Sequence, residues 1–571
     1  MRPRHREAQQ VESPVRTFPD ALPLALLLVE GTALLLLLHG MIGSPLTFDE
    51  QWRAYYISLG TGLWGQLDTS SAPFAAGWVG LEWAAVGLLG TTEWALRLPM
   101  ALAIPAMAMA TYWLARRWLG PVAAFLVAAA LMVSGSVLVY GLLLKPFVFD
   151  GLWTVVAVLL WLRLDGDRVR WPVRLLGYLG LGFITVAAVP TVFVLGPLLT
   201  LGLVRAARGS VGRLLAQLGL TALTAALAAV HVVTFIVPQS RILEGAYWVR
   251  HFTPLDQGVA PMLRFVWQQL AGYLPEMVTS TYLPPDVDDP LWQQATKVPP
   301  SQSLGLLLSA ALLVALVTGT GVLLRSRDGR ALVVAISGAL AGQLTGSMLR
   351  IWPFGLVRAN LFLLPLLFLV AGIGATRLAT GAWSPPRRVP RLAAALLALL
   401  VVTGIVVGGA YGARNLASLH QRWDAPGLAS HLRSAVAAVR TEAAPDDLVI
   451  ITGNQRGWSW YMEHYRGFPP SVGRAPRIPA EQTLHSAVFR RTQVDPWLAA
   501  HRQASSLFVF EFVYRTKTRT SRLIEGRKRR LASLGWCPVR RWDFPLTGFV
   551  TQYHRGRGCP VFQAGQSTSS S

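Results

Sequence analysis

Down to about residue 413 the chain alternates between long apolar runs and short arginine-rich connections. The runs fall near 21–42, 95–115, 121–141, 147–164, 174–190, 191–206, 214–237, 303–325, 331–349, 360–379 and 391–413. Stretches of about 17–25 apolar residues match the length needed to cross a hydrocarbon core, so the pattern predicts about eleven membrane-spanning helices. Pro190 is the expected break between two adjoining runs. Two long connections interrupt the alternation, at 43–94 and 238–302. Within the first, Pro73 to Gly90 is apolar and rich in Trp and Gly; it is expected to lie along the interface as a helix. The second carries Tyr247, Trp248, His251, Trp267, Tyr273, Tyr282 and Trp292, either as an interfacial aromatic belt or as a sugar platform or lid.

After about residue 413 the period changes. Pro426 to Arg440 reads as an amphipathic helix, and Leu448 to Thr452 as a buried strand. Gly457 to Tyr465 reads as a short helix, Ser506 to Val513 as a second strand, and Thr518 to Leu534 as a basic helix. Segments 536–543 and 548–554 form a hairpin about Pro545-Leu546-Thr547-Gly548. The expected organisation is a tail at 1–20, a polytopic helical region at 21–413, a small α/β domain at 414–562 and a disordered polar tail at 563–571.

Composition agrees with a membrane class. Of 571 residues, 53% are hydrophobic and only 14% charged, well below the roughly 25% of soluble domains, and the mean hydropathy is +0.43. The net charge of +23 does not indicate nucleic acid, because the arginines sit in connections between apolar runs and no nucleic-acid motif accompanies them. Arg2, Arg4, Arg6 and Arg16 precede the first run. Arg116 and Arg117, Arg163 to Arg174, Arg205 to Arg213, Arg325 to Arg330 and Arg377 to Arg391 fill every second connection thereafter. The positive-inside rule puts these segments in the cytoplasm and leaves 43–94, 238–302 and everything past 413 outside. The first run is long enough to stay as an anchor, so no cleaved signal is expected.

Chemistry concentrates at the outer face. Asp49 and Glu50 follow the first run directly, where acids can do proton chemistry on a lipid-borne substrate. Lys145 is one of four lysines, with 297, 517 and 528, and sits at the same face ahead of Asp150. It is a phosphate ligand or a side chain snorkelling to head groups. Asp150 is a supporting acid or the N-terminal acid that a helix dipole favours. Arg97 and Arg358 each lie near an outer helix end, as a phosphate clamp or as a structural ion pair. Glu30, inside the first run, is expected to pack against another helix, and His39 lies nearer the outer face. The basic face of the last helix suits anionic lipid or wall polymer. Cys537 and Cys559 bracket the hairpin on an oxidising face, so a structural disulfide is expected. Two thiols with no His partner do not suggest a metal site.

Several of these patterns occur in an order that resembles the GT-C superfamily of membrane glycosyltransferases, and within it the protein O-mannosyltransferase and aminoarabinose transferase branch. They are Asp49-Glu50, Pro73 with its apolar helix, Thr92-Glu93-Trp94-Ala95-Leu96-Arg97-Leu98-Pro99, Leu144-Lys145-Pro146-Phe147 with Asp150, and Pro353-Phe354-Gly355 with Arg358 and Pro365. Relatives often carry His or Lys with two prolines before the interfacial helix; here the residues are Ser71-Ala72-Pro73.

The resemblance implies inverting transfer of a sugar from a polyprenyl-phosphate donor to a glycan, glycolipid or protein outside the cytoplasm. No cofactor is implied, and a divalent cation is not indicated. On that reading Asp49 is the base, Glu50 orients it or caps the following helix, and Lys145, Arg97 and Arg358 face the donor phosphate. An arabinofuranosyl-type transferase is the rival within the fold. A transporter or flippase of lipid-linked sugars is the rival outside it, although no internal repeat supports it.

Overall fold

The computed structural model describes residues 20–60, 74–166, 169–240, 252–279, 302–355, 358–380, 431–473, 478–486, 491–512, 517–544 and 548–556. The apolar run at 391–413 and the tails at either end lie outside these residues. Helices α1 (Ala21–Leu37), α2 (Phe48–Ser58), α3 (Ala76–Leu89), α4 (Glu93–Ala115), α5 (Pro121–Met132) and α6 (Phe147–Leu164) open the chain. They are followed by α7 (Trp171–Ala187), α8 (Thr191–Ala207), α9 (Val211–His231), α10 (Val259–Thr279), α11 (Gln302–Leu323), α12 (Arg327–Met348) and α13 (Leu364–Ala379). Among the described residues, five helices are long and apolar enough to cross a membrane: Glu93–Ala115, Phe147–Leu164, Val211–Ile236, Arg327–Met348 and Ala359–Ala379. Shorter apolar helices of 10–17 residues make up most of the remainder.

Local sequence accounts for the breaks. The chain turns between α7 and α8 at Pro190, whose ring removes a helical donor. The expected run at 121–141 divides into α5 and Gly135–Gly141 at Val133-Ser134, where a β-branched residue and a hydroxyl precede a glycine. Segment 259–279, expected as part of a loop, is the helix α10.

Packing in the bundle depends on close backbone approach. A Cβ on Gly374 of α13 would run into the carbonyl oxygen of Ala315 on α11, and one on Gly319 would meet that of Val370. Small residues at such crossings let helices in an apolar solvent gain dispersion contacts. Gly374→Val is expected to destabilise by about 1–3 kcal/mol through overpacking, read as a lowered thermal midpoint in detergent. A variant that melts with the wild type would mean that the two helices do not touch there.

The two ends of the bundle differ. At the arginine-rich end, Asp165 pairs with Arg205 and with Arg327 (3.1 Å to the latter), and Arg117 pairs with Asp328. Arg116 reaches Asp20 at 2.6 Å. These ties join the C-terminal ends of α4, α6 and α8 to the start of α12. The opposite end carries α2.

Residues 431–556 build a five-stranded sheet. Its strands are β1 (Leu448–Thr452), β2 (Thr483–His485), β3 (Ser506–Phe512), β4 (Trp536–Phe544) and β5 (Gly548–Arg555), in the order β2-β1-β3-β5-β4. β1 runs parallel to both β2 and β3, whereas β3, β5 and β4 are antiparallel. Strand β1 is buried throughout, as its unbroken apolar run requires. Helices α14 (His431–Glu442), α15 (Gln455–Ser459), α16 (Arg491–Ala500) and α17 (Lys517–Ser533) accompany the sheet. A π-helical turn, Trp460–His464, continues α15. Neither β2 nor α16 is legible as an element in the sequence. On α17, Arg527 pairs with Glu511 of β3 and Arg530 with Asp495 of α16. Part of the basic face expected to meet lipid therefore holds the unit together. Cys537, on β4, is disulfide-bonded, and Cys559 lies outside the described residues.

Candidate functional site

The site is organised by α2. Thr47-Phe48-Asp49-Glu50 is a capping-box sequence, and the Thr47 amide donates to the Glu50 carboxylate at 2.8 Å. Of the two roles open to Glu50 in the sequence, capping is therefore formed. Asp49 occupies the second position of α2 and its side chain lies outside the described residues. The same is true of the Arg358 side chain, at the start of the 3₁₀ turn Arg358–Leu363. Ser71 and Pro73 also fall outside them.

Glu50 is fully buried and forms a two-pronged ion pair with Arg97 of α4, from Nε to Oε1 at 2.8 Å and from Nη2 to Oε2 at 2.9 Å. The Leu144 amide adds a third donor at 2.7 Å. Burial alone would raise the Glu50 carboxyl, but the Arg97 charge and the two amides hold it below its ordinary value. Arg97 also donates to the carbonyls of Met41, Ile42, Ser44 and Pro45. All three of its nitrogens are thus committed to protein acceptors. Of the phosphate clamp and the structural pair expected for Arg97, the pair is the one formed. It ties α2, the 41–45 turn, α4 and the entry to α6 at one point.

Next to this frame the structure gathers two buried cations. Arg53, one helical turn beyond Asp49 on α2, is 3% exposed, and Lys145 is 8% exposed. Both lie over the ring of Phe74, the Arg53 guanidinium at 4.9 Å and the Lys145 ammonium at 5.6 Å. The guanidinium also lies 5.0 Å from the Trp78 ring. Contacts of this kind are stabilising when desolvated. Burial pulls the Arg53 guanidinium down to about 10, against the opposing charge of Glu82. Glu82, on α3, is fully buried, and neither carboxylate oxygen has a hydrogen-bond partner among the described residues. Asp150, in the first turn of α6, is 5% exposed.

Sequence reasoning singled out Lys145, Asp150 and Glu50 but not Arg53 or Glu82. The spacing of four between Asp49 and Arg53 was a usable signal, since it puts the two on one helical face. A lone acid in the apolar stretch 76–89 was another, because burying it is costly. What no local pattern could give was Phe74, whose ring brings Arg53 and Lys145 together from positions 92 apart in number.

The C-terminal unit closes over this end. The Leu46 amide donates to the Tyr461 hydroxyl at 3.0 Å, and that hydroxyl meets Glu93 Oε1 at 3.4 Å. Arg433 donates to the same Glu93 oxygen at 3.1 Å. Asn454 donates to Gln51 at 2.5 Å, and Gln51 donates to the Leu46 carbonyl at 2.6 Å. Arg456 covers the rings of Trp52 and Tyr56 at 4.2 and 4.8 Å.

No family model matches the chain, and no curated protein matches it. Solved structures do. ArnT from Cupriavidus metallidurans bound to undecaprenyl phosphate aligns with a TM-score of 0.50 at 12% identity, over 93% of this chain and 97% of that one. The oligosaccharyltransferase of Archaeoglobus fulgidus in its apo form aligns at 0.46 and 13% identity, over 96% and 76%. The arabinofuranosyltransferase AftD from Mycobacteria aligns at 0.47 and 15% identity, over 94% and 42%. The ArnT likeness at 0.50 is one of fold alone: this chain shares the architecture of that structure over nearly its whole length.

Proposed function

We propose that the chain is a membrane glycosyltransferase that moves a sugar from a polyprenyl-phosphate donor to an acceptor hydroxyl on a glycan, glycolipid or protein. The observation that carries this reading is the convergence of Arg53 and Lys145 on one ring beside the acid-bearing turn of α2. A phosphate beside that ring would meet two positive charges in surroundings largely free of water, where such attractions are strong. A phosphate monoester or diester of a membrane lipid presents such an anion at a bilayer face. The ArnT structure of the same fold holds undecaprenyl phosphate, which accords with a lipid phosphate as the ligand class.

The chemistry follows from that placement. Asp49 takes the proton from the acceptor hydroxyl as its oxygen attacks the anomeric carbon. The bond from that carbon to the phosphate oxygen breaks, and polyprenyl phosphate leaves. Its developing charge meets Arg53 and Lys145, whose fields are strong because water is excluded. Attack opposite the leaving phosphate inverts the anomeric centre. Asp150 supports the site from the first turn of α6, and Arg97 with Glu50 fixes the frame. We further propose that α2 and the C-terminal unit face the extracytoplasmic side and that Cys537 pairs with Cys559 there.

The test is transfer of label from a panel of polyprenyl-phosphate sugars by purified protein, which would also name the sugar. Arg53→Met and Lys145→Met are each expected to weaken polyprenyl-phosphate binding roughly 10- to 100-fold, the usual cost of losing a charge-assisted contact. Titration in nanodiscs measures it. Wild-type affinity in both variants would remove the phosphate from this position.

A further inference from the structure

Leu46 is the last residue but one before the helix that carries Asp49, and both polar groups of its backbone are held from the C-terminal unit. Its amide donates to Tyr461 at 3.0 Å, and its carbonyl accepts from Gln51 at 2.6 Å, which is itself fixed by Asn454 at 2.5 Å. Arg97 grips the same turn from the membrane side, through the carbonyls of Met41, Ile42, Ser44 and Pro45. Tyr461 is fully buried, and its hydroxyl is shared between the Leu46 amide and Glu93 at the start of α4. Glu93 is in turn paired with Arg433 of α14. The turn is therefore clamped on both sides, and one jaw belongs to a segment more than 400 positions away in the chain.

We infer that Tyr461 and Asn454 are positioning residues for transfer: the C-terminal unit sets the conformation of the 44–50 turn and with it the place of Asp49. This deepens the glycosyltransferase reading and rests on it for its catalytic consequence, while the conformational consequence stands alone. A base misplaced by about an ångström loses on the order of 100-fold in rate with little change in binding. The hydroxyl of Tyr461 meets the Leu46 amide and Glu93, neither of which belongs to the proposed phosphate cations, so donor affinity is expected to hold while turnover falls.

The experiment compares the wild-type chain with Tyr461→Phe, which keeps the ring and removes the hydroxyl. Amide hydrogen exchange across residues 44–50 is expected to accelerate about tenfold or more, the effect of removing a buried hydrogen bond, with α4 beyond Pro105 unchanged. Turnover is expected to fall roughly 10- to 100-fold while the affinity for polyprenyl phosphate stays within about twofold. Gln51→Met, which cuts the second tether, should give the same pattern if Tyr461→Phe does not yield folded protein. Exchange at 44–50 identical to wild type in either folded variant overturns the inference. So does a loss of donor binding that matches the loss of turnover, which would mark a merely structural role. If the wild type transfers no sugar at all, the glycosyltransferase reading fails and the exchange result still decides whether the clamp exists.

Discussion

Arg97→Met is expected to destabilise the protein by about 3–5 kcal/mol, the usual consequence of removing one partner from a buried ion pair. Both side chains of the Arg97–Glu50 pair are fully buried. The substitution leaves a carboxylate without its counter-charge and strips donors from four carbonyls of the 41–45 turn. Thermal unfolding in detergent, followed by tryptophan fluorescence, measures the effect. A midpoint within a degree or two of wild type would show that the pair carries little of the frame. Arg97→Lys keeps the charge but offers one nitrogen where three are used, so it should recover only part of the loss. The pair also predicts an acid limb. Glu50 titrates below its ordinary 4.5 in the fold, so its contribution is complete above about pH 4.5 and is lost as pH falls through the folded value.

Asp49→Asn is expected to reduce sugar transfer by roughly 100- to 10,000-fold, the range that a positioned general base contributes. The substitution is nearly isosteric and leaves the Thr47–Glu50 cap and the Glu50–Arg97 pair in place, so the fold should survive. Donor affinity should also survive, because the proposed phosphate cations are Arg53 and Lys145. The decisive comparison is single-turnover transfer against equilibrium binding of the same polyprenyl-phosphate sugar. Turnover that persists in the variant would give the proton to another group, with Asp150 the next candidate. Binding without transfer in both proteins, accompanied by movement of the lipid between leaflets, would favour the transporter.

The capping box explains why the two adjacent acids have different fates. Position three of a helix can reach back to the cap, and Glu50 does so while also meeting Arg97. Position two has no such duty. A sequence that presents two acids side by side thus assigns them by helical position, one to structure and one, as proposed, to chemistry.

The amino-acid sequence by itself determined what depends on neighbours along the chain. A helix in lipid must satisfy its backbone internally and be apolar over its length, so the long runs at 95–115, 147–164 and 331–349 are legible without any partner. The break at Pro190 and the buried strand Leu448–Thr452 are likewise set by local sequence. The tertiary structure alone decided which side chains converge. Glu50 meets Arg97 47 positions away, Arg53 and Lys145 share Phe74, and Leu46 is held by Tyr461 across 415. No periodicity marks such pairs, because folding brings them together through packing of whole helices. The choice between clamp and ion pair at Arg97 was open for that reason: the same residue at a helix end serves either, and only the position of Glu50 in space selects one.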